Sequence, residues 1–64
     1  MKRMTGTEAL RRVDRLRASG WTTPEIAVAL GLRSTDTIRK WGVSDPHPDT
    51  AAILRTLKER EVTK

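Results

Sequence analysis

Trp21–Gly42, WTTPEIAVALGLRSTDTIRKWG, is the stretch on which the fold turns. It reads as two short helices joined by a tight turn. Thr22-Thr23-Pro24-Glu25 is a helix opening: Thr22 as N-cap accepts from the backbone N–H three residues on, and Glu25 reaches back to the cap. Pro24 falls in the first turn, where its missing N–H costs nothing. Ile26, Ala27 and Leu30 share one apolar stripe, and Gly31 supplies the left-handed residue that ends the helix. Ser34 is predicted to cap the second helix, whose inner face carries Ile38 and Trp41 at i, i+3. Thr35, Asp36, Arg39 and Lys40 then point away from the core. A short second helix with a polar, basic outer face is what reading DNA from the major groove requires.

Upstream, Thr5 and Glu8 are spaced as a capping box, so a first helix is predicted from about Gly6 to Ala18. Leu10, Val13 and Leu16 fall on one side of it, near Ala9 and Ala18. Arg11, Arg12, Asp14, Arg15 and Arg17 cover the rest, as a solvated face paired in part with Glu8 and Asp14 or as phosphate contacts. Ser19-Gly20 ends this helix. Residues 1–4 read as a short basic arm, whose Lys2 and Arg3 either enter a minor groove or remain disordered. Downstream, Gly42–Pro48 is a loop by composition. A last helix is predicted from about Pro48 to Glu61, with Asp49 in its first turn and Lys58 and Arg60 near its end. Val62 extends its apolar set of Ala51, Ile53, Leu54 and Leu57, so residues 48–62 form the C-terminal element. The expectation is one all-α domain over residues 1–64: a compact four-helix, or five-helix, helix-turn-helix unit.

Ordering 64 residues costs on the order of 100 kcal/mol, so the core must be efficient or completed by a partner subunit. With no cysteine, neither disulfides nor thiolate metal sites supply that help. No metal or cofactor is expected. No apolar run approaches the ~20 residues of a membrane span, and Met1–Met4 lacks the apolar region of a signal peptide, which predicts a cytoplasmic protein. Thirteen Lys and Arg against eight Asp and Glu give a net charge of +5, a balance that favours a polyanionic partner. The only aromatics are two Trp, too few for the stacking platforms of single-strand binders. Both belong to apolar stripes and read as core-edge residues. His47 lies between two prolines, where a cap or loop role fits better than catalysis, and no enzymatic site is expected.

The run Leu16–Leu57 is similar to the Cro/CI-type (XRE-like) helix-turn-helix regulators of phages and bacteria. The residues that carry the resemblance are Gly20-Trp21-Thr22 and Glu25-Ile26-Ala27, then Leu30-Gly31-Leu32, Thr37-Ile38-Arg39-Lys40-Trp41 and Pro46/Pro48. The chain departs from the family in its turn: the cap serine follows the glycine by three residues rather than two. The extra residue, most simply Arg33, either lengthens the loop or tilts the second helix.

The resemblance implies a sequence-specific transcriptional regulator, an autorepressor on an inverted repeat in a promoter. Small anti-CRISPR-associated repressors, antitoxins and operon autorepressors are compatible roles. Base edges fall to Thr35, Asp36, Arg39 and Lys40, with Arg39 suited to guanine O6 and N7. Thr22, Thr23, Arg33, Ser34 and Thr37 are the predicted phosphate contacts, and Lys40 is also within that role. Ile53, Leu54 and Leu57 are the predicted homodimer contact, since one such helix reads only a few base pairs. Two alternatives stand: a recombination or packaging accessory such as an excisionase or small-terminase-like subunit, or a protein-interaction module such as an antitoxin or adaptor.

Overall fold

The computed structural model describes residues 3–60. Helix α1 spans Gly6–Ala18, α2 Thr23–Ala29, α3 Asp36–Lys40 and α4 Pro48–Thr56, and among the described residues there is no strand. The all-α expectation holds. Both predicted capping boxes form. Thr5 Oγ1 accepts from the Glu8 N–H at 3.1 Å, and Thr22 Oγ1 from the Glu25 N–H at 3.3 Å. In each box the glutamate in turn accepts from the cap residue's own N–H.

Helices α1 and α2 stop in the same way. Gly20 and Gly31 adopt φ of +112° and +74°, where a side chain would be strained. The N–H groups of Gly20 and Trp21 return to the carbonyls of Arg17 and Leu16, and those of Gly31 and Leu32 to Val28 and Ala27. Each is a Schellman closure. Trp21 and Leu32, the residues just past the glycines, then pack against the core.

That core comprises Ala9, Val13 and Leu16 of α1, Ile26 and Ala27 of α2, Ile38 of α3, and Ala51 and Leu54 of α4, with Met4, Leu30 and Trp41 from the flanks. Leu16, Ile26 and Leu54 are wholly buried, each contributing about 1.5–3 kcal/mol of transfer free energy. Trp41 is 3 % exposed: it sits inside the core rather than at its edge. Met4 is also buried, so the arm proposed over residues 1–4 is reduced, with only Arg3 exposed among its described residues. Lys2 lies outside the described residues.

The C-terminal helix is shorter than its composition suggests. It ends at Thr56, and Leu57 turns extended, at φ −70° and ψ 129°. Past Leu57 come Lys58, Glu59 and Arg60, which offer no apolar face for a further helical turn to bury. The backbone instead finds tertiary partners. Arg12 donates to the Leu57 carbonyl, the Trp21 indole N–H to the Lys58 carbonyl at 3.1 Å, and the Arg60 N–H to Ser19 Oγ at 3.0 Å. Residues 57–60 form a strap over the α1–α2 corner. Glu61 and Val62, assigned to the helix from sequence, lie outside the described residues.

Candidate nucleic-acid interface

Helix α3 is five residues long and could not persist alone. Its neighbours hold it. Ile38 and Trp41 are each 3 % exposed and anchor one face in the core. At its end, the Lys40 carbonyl accepts from the N–H groups of Val43 and Ser44 and from Ser44 Oγ. Asp45 Oδ1 then accepts from the Gly6 N–H at 2.8 Å, tying the loop after α3 to the start of α1. Gly6 is required there, because a Cβ would collide with the carbonyl oxygens of Trp41 and Ser44.

The opposite face is open. Asp36, Thr37, Arg39 and Lys40 are exposed, and Thr35 is half-buried. Among the described residues Arg33, Arg39 and Lys40 make no ion pair, so their charge is available to an external partner.

The start of α3 differs in detail from the sequence reading. Thr35 occupies the cap position without a side-chain bond, while Ser34 Oγ accepts from the Asp36 N–H at 3.3 Å. Ser34 still satisfies a backbone donor at this end, but from one position outside the cap. Helix α3 begins only at Asp36.

The remaining predicted contacts divide by location. Thr22 is exposed and Thr23 half-buried at the start of α2. Thr22 Oγ1 accepts from the Glu25 N–H in its capping box, and the Thr22 side chain also bonds the Glu25 carboxyl. Arg33 and Ser34 are exposed in the turn. A groove of about 410 Å³ brings Thr23, Thr35 and Arg39 together with Arg17 and Asp14 of α1. Sequence reasoning left Arg17 undistinguished among the arginines of α1. The signal was its register: Leu10, Val13 and Arg17 form one stripe at i, i+3, i+7, so Arg17 flanks the core-facing side.

Arg60, assigned from sequence to a helix end, reaches the first turn of α2 instead. Its Nη2 lies 2.8 Å from Glu25 Oε2, and its Nη1 donates to the Gly20 carbonyl at 3.1 Å. The Arg60 side-chain hydrogen bond, with bonds from Thr22, holds the Glu25 carboxyl down to about 2. Glu25 is thus ionised at neutral pH, with a cation beside it.

The three residues predicted for a dimer contact differ in exposure. Leu54 is wholly buried within one chain, and Leu57 is half-buried against the same core. Ile53, 39 % exposed, is the most open of the three. Closing the core takes Leu54 whole and Leu57 in part.

His47 caps α4, its Nδ1 accepting from the Asp49 N–H at 3.2 Å. Among the described residues no group of three or more His, Asp or Glu side chains could hold a metal ion. Among the same residues no helix is long and apolar enough to cross a membrane. No family model, curated protein or solved structure matches this chain.

Proposed function

We propose that this protein is a cytoplasmic, sequence-specific double-stranded DNA-binding regulator of transcription, acting as an autorepressor on an inverted repeat in its own promoter. The observation that carries the reading is the two-sided character of α3. Ile38 and Trp41 fix one face in the core, and Asp36, Thr37, Arg39 and Lys40 stand exposed on the other. A side chain that reads a base edge must be held rigidly by its helix, and this helix is pinned along its buried face and at its end. The net charge of +5 supplies sequence-independent attraction to phosphates.

In this reading α3 enters the major groove. Arg39 bonds guanine O6 and N7, Lys40 and Thr35 flank it, and Asp36 accepts from a cytosine amino group or favours the helix dipole. Thr22, Thr23, Arg33, Ser34 and Thr37 bond phosphates and set the register. Two copies, meeting through the exposed part of α4 around Ile53, would place their α3 helices about 34–36 Å apart on a palindrome. His47 serves as the cap of α4, and binding rather than catalysis is the proposed role.

The test is fluorescence anisotropy with a duplex from just upstream of the protein's own coding region, against a shuffled duplex, across a salt series. A preference of about a thousandfold or more with a steep salt slope is expected. Equal, weak binding to both duplexes would overturn the reading.

A further inference from the structure

The groove between α1, the start of α2 and α3 has a polar lining in which donors predominate. Arg17 and Arg39 bring two guanidinium groups, Thr23 and Thr35 two hydroxyls, and Asp14 the one carboxylate. Its apolar floor is Leu10, Val13 and Ile38. Val13 and Ile38 are buried, so the apolar part of the groove rests on the core, while Asp14, Arg17 and Arg39 are exposed at its walls. Neither arginine has an ion pair among the described residues. Two guanidinium groups against one carboxylate give the lining a net positive charge, which favours an anion. Donors of this kind suit a phosphate: guanidinium groups bond its oxygens with charge assistance, and hydroxyls complete its shell.

We propose that this groove seats a backbone phosphate of the bound duplex, with Arg17 of α1 as the anchoring residue. The DNA interface thereby extends beyond the helix-turn-helix to the last turn of α1. This rests on the DNA-binding reading above and deepens it. Arg17 positions the duplex and reads no base, so its contribution is the same on every sequence.

The experiment compares Arg17→Gln, Arg17→Lys and Arg15→Gln with the unaltered protein in duplex titrations over a salt series. Arg15 shares the last turn of α1 and its favourable place in the helix dipole, but lies outside the groove. Arg17→Gln should lower the slope of log affinity against log salt by about 0.9, the value of one phosphate contact. It should weaken specific and shuffled duplexes by the same factor. Arg17→Lys should keep the slope, and Arg15→Gln should leave it nearly unchanged. Thermal unfolding of each variant separates loss of contact from loss of fold. If the unaltered protein binds the duplex and Arg17→Gln behaves like Arg15→Gln, the phosphate seat is refuted while the DNA-binding reading stands. If the unaltered protein binds no duplex, both fall together.

Discussion

The guanidinium carbon of Arg60 sits 4.4 Å from the centre of the Trp21 ring. The same group pairs with Glu25, and the Trp21 indole N–H bonds the Lys58 carbonyl. One side chain near the end of the described chain thus covers the hinge between α1 and α2 and the first turn of α2. A cation over an indole is worth about 0.5–1 kcal/mol at an exposed site, and Arg60 also bonds the Gly20 carbonyl. Arg60→Ala should cost about 1 kcal/mol and lower the thermal midpoint by roughly 4–8 °C. Circular dichroism melting checks this, and an unchanged midpoint would show that the strap adds nothing to stability.

Glu25 links this strap to pH. Its carboxyl is held at about 2, below the ordinary 4.5. For a depressed acid the folded state gains stability above the unfolded value and loses it as pH falls toward the folded one. The Glu25 contribution should be complete near neutrality and disappear between pH 4.5 and about 2. Glu25→Gln should flatten the fall in stability over that window, measured by urea melts at stepped pH. An identical acid profile in the two proteins would contradict it.

Gly6 provides a test in which the usual sign reverses. Alanine normally favours a helix over glycine by roughly 0.5–1 kcal/mol. At Gly6 the added methyl meets the carbonyls of Trp41 and Ser44, so Gly6→Ala should destabilise by about 1–3 kcal/mol. Gly42→Ala, whose Cβ finds only the Arg39 carbonyl at 3.6 Å, should change stability little. Denaturant midpoints of the two variants make the comparison.

Arg39→Ala should cost ~1–3 kcal/mol on the specific duplex and relax preference at one base pair. Anisotropy titrations against single-base variants of the site would reveal the relaxed position. Equal losses on specific and random duplexes would reassign Arg39 from base reading to phosphate binding.

Two neighbours on α4 should behave in opposite ways. Leu54→Ala removes a wholly buried side chain and should cost about 2–5 kcal/mol, enough to unfold much of so small a domain. Ile53→Ala should leave the melt nearly unaltered but weaken self-association in analytical ultracentrifugation. A protein that stays monomeric with and without DNA would eliminate the dimer.

Local signals were readable in the chain because each depends on residues within one or two turns. Thr5/Glu8 and Thr22/Glu25 close their boxes over three residues, and Gly20 and Gly31 stop helices wherever neighbouring structure places them. The start and end of α1, the inward face of Ile38 and Trp41 and the outward face of Arg39 and Lys40 all followed from such spacing. The same rules failed where a distant segment competed. Lys58–Arg60 carry acceptable helix formers, yet their backbone groups bond Trp21 and Ser19.

Composition and spacing were thus enough for the all-α class, the helix order and the polarity of α3, since helix caps and 3.6-residue stripes are energies of near neighbours. Long-range packing assigned the rest. It drew Met4 and Leu54 into the core, turned residues 57–60 into a strap and brought Arg17 and Arg39 to one groove. A small core must take apolar surface from wherever the chain can bring it, and a backbone group takes the partner that tertiary approach puts in reach. Neither choice is written in the spacing of residues along one helix.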